Sequence, residues 1–156
     1  MVRLVPMSTA AWADWRSRSI ARYAGDNVRV GAWPADGAEA RAALDFEHIL
    51  PDGQATPGHQ FCSILNDGGT LVGALWFAPN PPGLRHAIFI WDIEIDPRHR
   101  GQGHGRAALE ALEPIARSLG YEEIELHTFG DNEIARNLYR SAGYREVNVS
   151  MVKRLG

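Results

Sequence analysis

Ile93-Glu94-Ile95-Asp96-Pro97-Arg98-His99-Arg100-Gly101-Gln102-Gly103-His104-Gly105-Arg106 joins an apolar alternating run to the start of a helical pattern. Upstream, His86–Ile95 reads as a strand, with Phe89, Trp91, Ile93 and Ile95 on one face and Ile88, Ile90, Asp92 and Glu94 on the other. Both faces are partly apolar, which places the strand centrally. Downstream, Leu109, Leu112, Ile115, Ala116 and Leu119 recur at helical spacing over 104–119, and Gly120 closes the helix. Between them, glycines at 101, 103 and 105 let the backbone approach a bulky anion. The unpaired N–H groups and the dipole of a helix start favour negative charge there. Arg98, His99, Arg100, His104 and Arg106 fall within nine residues, where helix starts ordinarily prefer acids. No Walker A string is present, and a Gly-x-Gly-x-x-Gly fingerprint from Gly101 would need glycine where Arg106 stands. The pattern that is met is Arg/Gln-x-x-Gly-x-Gly/Ala, at Arg100-Gly101-Gln102-Gly103-His104-Gly105.

Working outward, residues 10–24 carry Trp12, Trp15, Ile20 and Tyr23 at loosely helical spacing, with Gly25 as the expected stop. Residues 36–49 read as a second helix, Asp36 as N-cap and Ala40, Ala43, Leu44 and Ile49 in the apolar stripe. Gln60–Leu65 and Thr70–Ala78 flank Asn66-Asp67-Gly68-Gly69 and predict a hairpin. Glu122–Thr128 reads as a strand, 132–142 as a short helix with Ile134, Ala135, Leu138 and Ala142 inward, and Tyr144–Val152 as a final alternating strand that could pair across a homodimer. The order implies one α/β domain over residues 1–156. Its sheet is mixed and mostly antiparallel, flanked by helices and not doubly wound.

Composition narrows the function classes. Apolar residues at 45% and charged residues at 22% are an ordinary globular balance. A net charge of −3 argues against nucleic acid as a partner. No apolar run approaches the roughly 20 residues that cross a bilayer, and the first residues lack a signal-peptide core, so no membrane partner is expected and a cytoplasmic setting is. Cys62 is the only cysteine and reads as an apolar filler; His48 and His59 lack zinc spacing, so no metal is expected.

The glycine loop, together with Asn132-Glu133-Ile134-Ala135-Arg136-Asn137-Leu138-Tyr139-Arg140-Ser141-Ala142-Gly143-Tyr144, resembles the GNAT family of acyl-CoA-dependent N-acetyltransferases. The second string is similar to the family's Asn-x-x-Ala-x-x-Leu-Tyr-x-x-x-Gly-Phe/Tyr, and the resemblance is sharpest over residues 86–153. It implies a V-shaped gap between two central strands that holds the pantetheine arm of acetyl-CoA. Ile93, Glu94 and Ile95 would offer it backbone groups. Arg100, Gly101, Gln102, Gly103, His104, Gly105 and Arg106 would wrap the pyrophosphate, His104 chiefly through its backbone. Asn132 would contact the cofactor or only cap its helix, and Tyr139 would lie near the sulfur.

The chemistry then assigns roles. An alkylammonium of pKa about 10 must lose a proton before it attacks, the developing oxyanion needs a donor, and the thiolate leaving group benefits from a proton. Tyr139 is the expected general acid. Glu94 is the expected base, acting through water, with Asp92 beside it to hold the acceptor's ammonium and His127 as rival base. Trp33, Trp76, Trp91 and His59 would line the acceptor pocket. The expected acceptor is a small-molecule amine or a protein N-terminus. A catalytically inactive acyl-CoA-binding regulator is the alternative, and a nucleotide-phosphate binder a third reading.

Overall fold

The computed structural model describes all of residues 1–156. Its elements run β1 (Val2–Pro6), α1 (Thr9–Arg29), α2 (Ala38–Ile49), a 3₁₀ turn (Gly53–Ala55), β2 (Gln60–Asn66), β3 (Leu71–Pro79), β4 (Ile88–Ile95), a second 3₁₀ turn (Pro97–His99), α3 (His104–Ser118), β5 (Ile124–Leu126) and α4 (Glu133–Ser141). The sheet order is β1-β2-β3-β4-β5. The first four strands are antiparallel; β5 joins β4 in parallel after the α3 crossover. This is the mixed, mostly antiparallel sheet that the sequence predicts.

Two apolar layers sandwich the sheet. On one face α1 and α2 pack Trp15, Ile20, Ala42 and Phe46 against Phe61 and Trp76. On the other, Leu109 and Leu112 of α3 pack against Ile64, Leu75, Phe77, Ile88 and Ile90. Each of the leucine, isoleucine and phenylalanine side chains stabilises the fold by about 1.5–3 kcal/mol on full burial. No helix is long and apolar enough to cross a membrane.

Several local expectations are corrected. α1 runs through Gly25 to Arg29. A mid-helix glycine costs only about 1 kcal/mol relative to alanine, and burial of Trp15, Ile20 and Ala24 outweighs it. Asp36 does not cap α2, because Gly37 in a left-handed conformation occupies the cap position. The buried face of α2 is Ala38, Ala42 and Phe46; Ala40 and Leu44 point outward. Ile134 is likewise exposed. β1 had no reading in the sequence, yet it pairs along the whole of its length with β2.

Residues 144–152 form no strand, so the strand expected to pair across a homodimer is not formed within the chain. β5 offers only the three residues Ile124–Leu126 as a template, and the start of the tail is drawn to α4 instead, where Glu146 meets Arg136 at 2.8 Å and Arg140 at 2.7 Å.

Candidate active site

β5 accompanies β4 for only three residues: Ile88, Phe89 and Ile90 face Ile124, Glu125 and Leu126. Beyond that point the strands part, and the Ile93–Ile95 backbone borders a cleft of about 830 Å³. That volume lies in the usual range for ligand sites. The cleft runs from the glycine loop, past α4, to α1.

At the loop end, Gly101 and Gly103 adopt left-handed conformations, φ +73° and +82°. Gly103 forms the N-cap of α3 and has no side-chain cap bond, so the first amides of α3 remain open to an anion. His99, Arg100, Gly101, Gly103, His104, Gly105 and Arg106 line the cleft. Gln102 does not; it lies over a separate shallow depression beside Asn66–Gly68.

The arginines differ in how they are spent. Arg98 clasps both carboxylate oxygens of Asp96 and holds that acid well below its ordinary range. Arg106 pairs with Glu110 at 3.1 Å. Arg100 donates its Nε–H to the Ile95 carbonyl at 2.9 Å, a neutral partner, so its positive charge stays uncompensated. His104 keeps a buried Nε2 without a partner, so its ring belongs to the site as well as its backbone. A left-handed loop, an open helix start, an unneutralised guanidinium and an orphaned imidazole nitrogen fit an anionic cofactor tail.

Along the cleft, Asn132 caps α4 by accepting from Ala135 N at 3.2 Å and also borders the cavity. Tyr139, about two turns further along α4, lines the same cleft. Burial, with a smaller contribution from the Asp92 charge, pushes its phenol up to about 12.

A β-bulge decides what the far end contains. The β3–β4 register steps from Trp76↔Asp92 to Phe77↔Ile90, which leaves Trp91 as the inserted residue. One extra residue exchanges the faces of everything beyond it. Ile88 and Ile90 therefore pack toward α3, while Asp92 and Glu94 turn to α1. The single face expected for all four is corrected.

On α1 the two carboxylates meet a prepared set of donors. Asp92 accepts from Arg22 Nη2 at 2.7 Å and from Trp15 Nε1 at 3.0 Å, with Ser19 Oγ at 3.4 Å. Glu94 Oε2 lies 3.1 Å from Arg22 Nη1 and 3.7 Å from Arg18 Nη2. Burial pushes the Asp92 carboxyl above its ordinary value, and the Arg22 charge and the Trp15 N–H pull it back. Asp92 and Glu94 are thus already neutralised, not free to grip an ammonium ion as expected. Arg18, Arg22, Trp15 and Ser19 are the residues that sequence reading missed. Their spacing at positions 15, 18, 19 and 22 of one helix is the signal that could have found them: polar groups embedded in an apolar stripe.

The aromatic residues divide. Trp91, at 38% exposure, borders the cleft, stacks on Trp76 (ring centroids 5.2 Å, 18° between planes) and meets Phe89 edge-on at 5.1 Å. Trp76 lines the same cavity from beneath. Trp33 instead lies buried against Tyr23, under the Arg41 guanidinium, and His59 accepts the Trp76 indole N–H at 2.9 Å; neither lines the cleft. His127 borders it at the end of β5. A clasp crosses the opening: Arg29 of α1 reaches Asp131 at 2.8 Å and stands over the Phe129 ring.

Comparison with known proteins agrees with this geometry. The acetyltransferase (GNAT) family matches residues 13–144. The uncharacterized N-acetyltransferase YycN of Bacillus subtilis strain 168 is 33% identical over 154 residues, 99% of either chain, and its crystal structure superimposes with a TM-score of 0.93 over 99% of both chains. YdgE of the same organism, also an uncharacterized N-acetyltransferase, is 32% identical over 97% of each. AAC(6')-Iy, solved with a CoA-containing bisubstrate analogue, shares the fold at 18% identity, with a TM-score of 0.63 over 100% of this chain and 99% of its own. A family match over most of the chain, on the strand–loop–helix that carries the glycine motif, identifies the protein as a member of the GNAT family of N-acetyltransferases, which use acyl-CoA.

Proposed function

We propose that the enzyme transfers an acetyl group from acetyl-CoA directly to a primary amine within a ternary complex. The observation that carries this reading is the parting of β4 from β5 immediately before the glycine loop: one continuous channel leads from an anion-binding helix start to a carboxylate. Bound acetyl-CoA supplies an acetyl group activated as a thioester. Ile93, Glu94 and Ile95 offer backbone groups along the arm, Arg100 and the amides of residues 101–106 hold the phosphates, and Asn132 borders the arm's path.

Glu94 takes the proton from the acceptor through water. Its Oε2 lies 3.1 Å from Arg22 Nη1, which fixes the carboxylate at the wall of the cleft beside that water's path; His127, exposed at the rim, is worse placed to exclude bulk solvent. The free amine then attacks the thioester carbonyl, the new C–N bond forms, and the C–S bond breaks. Tyr139 donates the proton to the departing sulfur, and the acylated nitrogen gives up its extra proton to restore the phenol. With its phenol pushed up to about 12 by burial, it carries its proton at neutral pH and can offer it once negative charge develops on the sulfur. No side chain needs to carry the acetyl group. Cys62 is buried on β2 and its thiol is pushed up to about 11, far from the thiolate form that a covalent relay requires.

Titration calorimetry with acetyl-CoA, and with NAD and ATP as controls, tests the reading. Selective binding of acetyl-CoA, weakened in Arg100→Ala, is expected. Failure to bind acetyl-CoA would overturn it.

A further inference from the structure

The acceptor end of the cleft has three carboxylates, and each has a guanidinium against it: Asp92 and Glu94 share Arg22, Glu94 also faces Arg18, and Asp26 pairs with Arg29. A polycationic amine entering here finds no free negative charge. It would have to displace Arg22, part-buried between Asp92 and Glu94, leaving that guanidinium unpaired, which is unfavourable. Apart from Ser19 and Asn27, the wall there is apolar and mostly aromatic: Tyr23, Phe46, Ile49, Phe89 and Trp91 border the cavity. Trp91 is the inserted residue of the β4 bulge, and it is a large aromatic ring left substantially open while its other face is occupied by Trp76.

We propose that the acceptor is a monoamine carried on an aromatic or similarly flat apolar body, stacked on Trp91 with its amine directed to Glu94, and that the site discriminates against polyamines. The proposal rests on the acetyl-transfer reading for its chemistry, but the binding surface it names exists independently of turnover.

The test uses the intact protein with 2-phenylethylamine and tryptamine against spermidine and kanamycin. Thiol release from acetyl-CoA gives kcat/KM, and calorimetry with the protein loaded with CoA, which cannot acylate the amine, gives acceptor affinity. The arylalkylamines are expected to exceed the polyamines at least about tenfold in kcat/KM, as loss of one good stacking contact corresponds to roughly that factor. Trp91→Ala should lower arylalkylamine affinity by a similar factor and leave acetyl-CoA affinity unchanged. Arg22→Gln, which releases Asp92 and Glu94, should shift preference toward spermidine. Equal or better use of polyamines by the unmodified enzyme, or arylalkylamine affinity unchanged by Trp91→Ala, would overturn the proposal. If acetyl-CoA itself does not bind, the acetyl-transfer reading fails alone, and calorimetry of 2-phenylethylamine on the unloaded protein, with and without Trp91→Ala, still decides the aromatic surface.

Discussion

The two ends of the cleft are built from different material. At the cofactor end the decisive atoms are backbone: left-handed Gly101 and Gly103, the open amides of α3, and the strand edge that β5 abandons. At the acceptor end they are side chains, brought together from α1 and β4 across a separation of seventy residues in the Arg22–Asp92 bond. A backbone site depends on local conformation, which glycine announces in the sequence. A side-chain site depends on register and packing, which no short motif encodes. The difference also says how each end fails. The first is damaged by changing what the chain can do, the second by changing what it carries.

The largest expected effect lies where the two ends meet. Tyr139→Phe removes the general acid and should reduce kcat by roughly a hundred- to ten-thousand-fold. Acetyl-CoA affinity, measured by calorimetry, should stay within about twofold, because the phenol acts only on the leaving sulfur. A parallel loss of affinity would instead make Tyr139 part of the backbone-built binding surface. Unchanged kcat would remove it from the chemistry.

Next comes the acceptor end. Asp92→Ala deprives both Arg22 and the Trp15 N–H of a buried partner, and breaking such a pair costs about 3 kcal/mol. Thermal unfolding should move down by roughly 6–12 °C for a domain of this size. The glycine loop touches none of these groups, so acetyl-CoA affinity should survive at temperatures where the variant is folded. Loss of cofactor binding without loss of stability would mean that the two ends are not separable as described.

Gly103→Val breaks the cofactor end in the complementary way. A β-branched residue at φ +82° is strained by about 1–3 kcal/mol, and relief requires the loop to turn its amides away. Acetyl-CoA affinity should fall roughly ten- to a hundredfold, while arylalkylamine binding to the Trp91 surface is unaffected. No Cβ contact lies within 4 Å at this position, so the backbone conformation alone is under test.

How legible each end was follows from the same distinction. The hairpin, the α3 crossover and the loop were all readable because each rests on a local signal: Asn66–Gly69 between apolar runs, helical spacing in 104–119, three glycines. The placement of Asp92 and Glu94 was not. Alternation from Ile88 predicts one shared face, and the bulge at Trp91 reverses it; nothing in Ile90-Trp91-Asp92 marks the insertion. The partners on α1 were hidden for a second reason. An arginine at position 22 reads as a solvated helix face until β4 is known to pass beneath it. The tail after Tyr144 failed in the opposite sense: alternation was present, but β5 was too short to hold it.

The smallest predicted effect is the most direct probe of contact between the ends. The Tyr139 phenol is raised first by burial and second by the Asp92 charge. Asp92→Asn removes only the second cause, so Tyr139 should titrate somewhat lower, read as phenolate absorbance against a Tyr139→Phe blank. The sign extends to stability. A tyrosine whose folded pKa is raised to about 12 from its ordinary value of about 10 favours the fold fully below the lower figure. That contribution is lost as pH climbs toward the higher one. In Asp92→Asn the loss should therefore still begin near the ordinary tyrosine value but finish at lower pH, and be smaller in total, than in the unmodified protein, after the variant's general destabilisation is subtracted at neutral pH. An unchanged Tyr139 titration would show that the Arg22 guanidinium already screens Asp92 completely from the cofactor end. The side-chain site would then be electrically closed, and only the protein backbone and the substrates themselves would connect the two halves of the cleft.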